Sequence, residues 1–148
     1  MKIIMNPSDM KKVTRAMNNL KKFDKKGLST EIKRCVMDID KKAKSRVSIG
    51  SYANAGTLKR SIAYGASGKT AYNEATAHYA PYVEFGTGGS YSGKELAALG
   101  IPETYSAQFK GASQDRVHLP ARPFIFNSAR EAIPDMYKKI MKRLENIL

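Results

Sequence analysis

Apolar residues recur at helical spacing near the start of the chain: Met10, Val13, Met17 and Leu20, with lysines between them. Pro7-Ser8-Asp9 precedes this stripe, and Ser8 or Asp9 can accept from the free amides of a first helical turn. Gly27 punctuates. A second stripe of Leu28, Ile32, Val36, Ile39, Ala43 and Val47 then predicts another helix, capped by Ser29 or Thr30. Cys35 lies beside that stripe and reads as a small core or boundary residue. From Ser48 the pattern changes, and Ile49 to Gly56 is a turn-rich connection.

Residues 57–64 fit a strand, Gly65-Ala66-Ser67-Gly68 supplies a hairpin turn, and 69–79 fits the return strand, with Tyr72, Thr76 and His78 on one face. Pro81-Tyr82-Val83-Glu84-Phe85 is a short apolar segment, helical or extended, that stops at Gly86-Thr87-Gly88-Gly89. Residues 90–120 are irregular apart from a helical patch near Glu95 to Leu99, and a stretch of this kind is a functional arm or a disordered loop. A last stripe of Ala129, Ile133, Met136, Ile140, Leu144 and Ile147 predicts the closing helix. Lys138, Lys139, Lys142 and Arg143 crowd its end, where the helix dipole favours cations. Pro134 should bend this helix or mark its first turn.

These elements predict an α+β fold: two long amphipathic helices packed on a small antiparallel β-sheet, with a long irregular loop before the C-terminal helix. The chain of 148 residues reads as one domain. Within it, 1–47 are basic helices, 57–88 the hairpin and an aromatic-glycine segment, 89–120 a variable loop and 121–148 the closing helix. No apolar run approaches the roughly 20 residues that span a bilayer, and the first residues are too short an apolar stretch for a secretory signal. One cysteine excludes an internal disulfide framework and fits a reducing cytoplasm. With two histidines besides, the chain has too few ligands of the usual kind for a structural zinc, and no metal or cofactor is expected.

Charge adds what the hydropathy pattern cannot. The net charge is +13, and the beginning is crowded with Lys11, Lys12, Arg15, Lys21, Lys22, Lys41 and Lys42 among others. Such a field favours an acidic partner: nucleic acid, an anionic membrane or an acidic protein surface. No aromatic residues interleave with the lysines as a single-strand stacking platform requires, and no helix-turn-helix, zinc finger or ribonucleoprotein motif occurs. Direct DNA binding is therefore the alternative reading.

Enzyme motifs fail individually. Gly88-Gly89-Ser90-Tyr91-Ser92-Gly93-Lys94 fits the first seven positions of a phosphate-binding loop, but Glu95 stands where a magnesium-binding hydroxyl belongs. A carboxylate there would face the phosphates. His78 and His118 sit in no nucleophile or metalloprotease motif. Glu84, between Val83 and Phe85, is a candidate buried carboxylate that needs a partner, for which Arg122 or Arg60 is available. No credible catalytic set emerges, and the expectation is a protein that is not an enzyme.

Three segments in order carry a resemblance. Thr57-Leu58-Lys59-Arg60-Ser61-Ile62 after Gly56 resembles a "T-G-x-L-R-x-S-I" entrance with the Thr–Gly order altered. Tyr79-Ala80-Pro81-Tyr82-Val83-Glu84-Phe85-Gly86-Thr87-Gly88 is very similar to "Y-A-x-Y-V-E-F-G-T", and Pro120-Ala121-Arg122-Pro123-Phe124-Ile125 resembles "P-A-R-P-F-L" before a closing helix. Together they resemble the gene-product-ten-like tail-component family of lambdoid phages, small head–tail joining or tail-completion proteins. The chain departs from the family in lacking a Pro before the first motif, and in Asn127-Ser128 where Pro-Ala is common.

The resemblance implies a structural virion protein at the neck or head-proximal tail, assembled in the host bacterial cytoplasm. It further implies a ring of subunits, plausibly six-fold, that contacts other neck or tail proteins and no membrane. Closed rings need heterologous interfaces, one patch meeting a different patch on its neighbour. Tyr79, Tyr82 and Phe85 offer aromatic area with hydroxyl handles, and Gly86, Gly88 and Gly89 allow a sharp turn. These residues, with Glu84, Thr87, Arg122, Pro123, Phe124 and the 86–120 loop, are the candidate contacts, although the same motifs also suit a purely folding role. The basic helices are the candidate surface for acidic neighbours, with DNA contact secondary.

Overall fold

Lys22, Gly27 and Leu28 all hold right-handed helical dihedrals, so the expected break at Gly27 does not occur. In the computed structural model, which describes residues 7–47, 56–86, 97–98, 102, 104 and 120–147, α1 (Pro7–Lys22) runs through a π-helical turn (Phe23–Gly27) directly into α2 (Leu28–Arg46). Ser29 and Thr30 do not cap. Their hydroxyls donate back to the Lys26 carbonyl at 3.1 and 2.7 Å, as Ser and Thr do inside helices. Gly27 is small for packing, since a β-carbon there would lie 2.3 Å from the Phe23 ring. A glycine that makes room for a ring reads in sequence like one that stops a helix.

α2 is the central element, with the hairpin against it and the C-terminal helix α5 (Ile125–Glu145) alongside. Its predicted stripe is confirmed: Val36, Ile39 and Ala43 are buried, and Leu28, Ile32 and Val47 half-buried. Cys35 is buried as expected, and burial pushes its thiol up. On α5 the stripe is borne out in part: Ala129 and Met136 are half-buried against the core, and Ile140, Leu144 and Ile147 are half-buried. Ser128 and Ala132 are buried, whereas Ile133 is 39% exposed. Ala132 packs against Cys35 and Ile39 of α2, and such small side chains let the two helices approach closely.

The start of the predicted first strand is instead a short helix, α3 (Thr57–Ser61), and the hairpin follows as β1 (Ile62–Ser67) and β2 (Thr70–Ala75). The strands are antiparallel in the register Ile62↔Ala75 to Ser67↔Thr70, and the turn falls at Gly68-Lys69, with Gly68 at φ +58°. Gly65, expected in the turn, lies within β1 opposite Tyr72, whose ring would stand 2.4 Å from a β-carbon there. An isolated two-stranded hairpin is marginal in water. Here it is held to α2 by packing, by Asn73 Nδ2 donating to the Val36 carbonyl at 3.1 Å, and by an ion pair between Lys69 in the turn and Asp24 in the π-helical turn.

One core joins Ala43, Leu58, Ile62, Ala80 and Phe124, and a second joins Cys35, Ile39 and Ala132. Fully burying one such large side chain stabilises by roughly 1.5–3 kcal/mol. The buried Glu31 carboxylate ties the start of α2 to the end of α5, taking Arg34 at 3.0 Å and Arg143 at 2.8 Å. At the other end, Arg46 Nε donates to Ser128 Oγ at 3.2 Å and its guanidinium pairs with Glu131. Pro134 lies inside α5, not in its first turn, so the Arg130 carbonyl has no amide at that position to accept. The α+β architecture stands, with the hairpin and α5 both packed against α2. The main contact of α1 among the described residues is the π-helical turn it joins, and its stripe stays exposed: Met10, Val13 and Met17 at about half their free area.

Candidate functional site

Tyr79 to Gly86 forms one compact unit. The Tyr79 carbonyl accepts from the Tyr82 and Val83 amides at 3.1 and 3.2 Å, starting the short helix α4 (Ala80–Phe85) with Pro81 in its first turn. Proline suits that place because its missing N–H has no helical partner there. α4 stops at Gly86, buried with φ +75° and ψ 174°, a conformation essentially confined to glycine. The turn after Phe85 therefore requires glycine at this position.

This unit grips the start of α5. Phe124, the residue preceding α5, offers no side-chain cap, which would leave the first amides of a 21-residue helix without acceptors. Glu84 supplies them from another segment. Its Oε2 accepts from the Phe124 and Ile125 amides at 2.8 and 3.1 Å, and its Oε1 from the Phe126 amide at 2.8 Å. A carboxylate at a helix N-terminus is also favoured by the helix dipole. Burial pushes the Glu84 carboxyl above the ordinary carboxylate range, and the three amide bonds pull it back only in part. The expected partnership with Arg122 or Arg60 is thus corrected: the partners are backbone amides. Arg122 takes part through its own amide, which donates to the Val83 carbonyl at 2.8 Å.

Side chains close the joint on both sides. The Phe85 and Phe126 rings meet edge to face at 5.7 Å, and the Phe124 ring enters the main core at 2% exposure. Beside them lies an apolar cavity of about 260 Å³ between β2, α4 and the start of α5. Its ionisable groups are Glu74 and Glu84, and the Glu84 oxygens are already taken by amides. The arrangement is suited to holding two segments in fixed register.

The candidate contact residues separate accordingly. Glu84, Gly86, Pro123 and Phe124 are buried, Tyr79 and Phe85 half-buried, and Tyr82 and Arg122 exposed; Thr87, Gly88 and nearly all of the 89–120 loop lie outside the described residues. The phosphate-loop-like segment and His118 lie outside them too, while His78 is exposed. Of the basic positions, Lys11, Lys12, Arg15, Lys21, Lys22 and Lys41 are exposed. Lys42 is corrected: it is half-buried between Asp38 at 3.4 Å and Glu131 at 3.5 Å, and is no open contact surface. Desolvation works to lower its pKa, but hydrogen bonds and charge attraction to both carboxylates together raise it.

The sequence reading missed the Ser128–Arg46–Glu131 network and the Glu31–Arg143 tie, which join residues far apart in the chain. The one usable signal for the Glu84 joint was a long helix opening at Pro123-Phe124 without a Ser, Thr, Asp or Asn to cap it. Among the described residues no group of three or more His, Cys, Asp or Glu is placed to hold a metal ion, and no helix is long and apolar enough to cross a membrane. Comparison with protein-family models, curated proteins and solved structures finds no match.

Proposed function

We propose that this chain is a structural subunit of a tailed bacteriophage or phage-like particle, a head–tail joining or tail-completion component that acts by assembly. The observation that carries the reading is the Glu84 joint. Two of the three segments that carry the resemblance to the tail-component family, the ones that contain Glu84 and Phe124, meet in space through Glu84 and the amides of residues 124–126. Motifs that resemble a family separately here build one device, and that device supports a shared fold and role.

Assembly needs surface, and the exposed apolar residues fit that need. Met10, Val13 and Met17 lie along α1, and Tyr137 and Met141 along α5, with Tyr82 on the joint itself. Different patches on one chain are what a heterologous, ring-closing interface uses. The ring is expected to hold itself together through such patches, and acidic surfaces of neighbouring neck or tail proteins would meet the basic helix.

Mass spectrometry of gradient-purified particles from a phage or lysogen that encodes this chain checks the placement. The chain is expected at a fixed ratio to the other neck and tail proteins. Particles that are complete and infectious yet lack it would remove the reading.

A further inference from the structure

We propose that α1 carries a binding site for the phosphodiester backbone of duplex nucleic acid, formed by Lys11, Arg15 and Lys22 with Asn18 and Asn19 between them. At 100° per residue these positions share one face of the helix, and with Met10 and Thr14 they line one open surface of mixed polar and apolar character. Lys12 and Lys21 fall on the flanks of α1, while these three share one ridge. Along the axis they are about 6 and 10 Å apart at a rise of 1.5 Å per residue. The amide side chains between them are donors of the kind that contact phosphate oxygens.

Charge is less compensated on α1 than on α2 and α5, where several cations are answered by carboxylates: Lys44 by Asp40, Arg46 by Glu131, Arg143 by Glu31. Among the described residues Lys11, Arg15, Lys21 and Lys22 form no ion pair, and Asp9 is the one acidic residue in the α1 sequence. α1 joins α2 through the π-helical turn, and that turn is its main contact among the described residues, so its cationic ridge is not packed against the hairpin or α5. A major groove roughly 12 Å wide admits such a helix.

The other anionic surfaces fit less well. A helix lying on a bilayer buries its apolar stripe and keeps its cations at the flanks of that stripe. On α1 the ridge of Lys11, Arg15 and Lys22 lies opposite Met17 and Val13, so lipid contact would turn it towards water. The stripe also lacks aromatic anchors. The site uses the basic helix that the assembly reading offers to acidic neighbours, but ring assembly does not require it to bind nucleic acid, so failure to bind would leave that reading standing.

The test is fluorescence anisotropy of the full chain with a labelled 25-base-pair duplex of arbitrary sequence, between about 50 and 200 mM salt, with phosphatidylserine vesicles in parallel. Three neutralised phosphates give a log–log salt slope near −3 and a loss of roughly 40-fold in affinity over that range. The variant combining Lys11→Ala, Arg15→Ala and Lys22→Ala is expected to keep its helical circular dichroism, bind at least about tenfold more weakly at the low salt, and lose most of the slope. Replacing Lys138, Lys139 and Lys142 of α5 by alanine is expected to leave affinity within about twofold. Absence of duplex binding at the low salt, equal binding by the α1 variant, or tighter binding to vesicles than to duplex would each overturn the proposal.

Discussion

Glu84→Ala is expected to destabilise the protein by about 3 kcal/mol, lowering the thermal midpoint by roughly 6–12 °C. The substitution leaves the amides of Phe124, Ile125 and Phe126 without their acceptor at the head of a helix that has no side-chain cap of its own. Hydrogen bonds to a charged group contribute about 1.5–3 kcal/mol each, but three on one carboxylate are not additive. Rehydration of the carboxylate's surroundings offsets part of the loss, since burial already disfavours its charged form. Glu84→Gln should not rescue, because its NH₂ group would face an amide donor. Hydrogen exchange locates the effect: the amides of residues 124–126 should lose protection before those of α2. Unchanged protection there in the alanine variant would show that the carboxylate does not hold the helix start.

Phe124→Ala is expected to cost more, about 3–5 kcal/mol, because it empties the point where the segments converge. The ring is 2% exposed and packs in one cluster with Ala43 of α2, Leu58 of α3, Ile62 of β1 and Ala80 of α4. Backbone on every side prevents the site from collapsing fully, so the cavity term adds to the lost transfer free energy. Phe124→Leu, which keeps most of the volume, should cost markedly less. Denaturant titration checks this as a drop in midpoint with little change in slope. A cost below about 1 kcal/mol would show that the ring is peripheral, as a contact residue on an exposed interface would be.

These two residues show where sequence reading succeeds and where it stops. The stripe Val36, Ile39, Ala43 was legible because apolar side chains repeated at helical spacing mark the buried face of a helix, and the α+β class followed. On α5 Ala129, Met136, Ile140 and Leu144 were legible as the inward side, but the deepest positions, Ser128 and Ala132, were not, because they carry almost no hydropathy signal. Gly27 was read as a stop because glycine usually breaks a helix, while its role beside Phe23 depends on a ring four residues earlier. At the candidate site, burial of Glu84 was legible from Val83 and Phe85. Its partners were not, because backbone amides leave no mark in a sequence and the expected partners were the cations Arg122 or Arg60.

Completion of the junction between head and tail is the role at stake, and electron microscopy of a lysate tests it. The phage or lysogen should carry an early stop codon in its copy of the gene, with a complemented strain alongside. DNA-filled heads are expected beside separate, finished or wrongly terminated tails, and joined particles once the intact chain is supplied. Intact, infectious particles in the uncomplemented lysate would contradict that role.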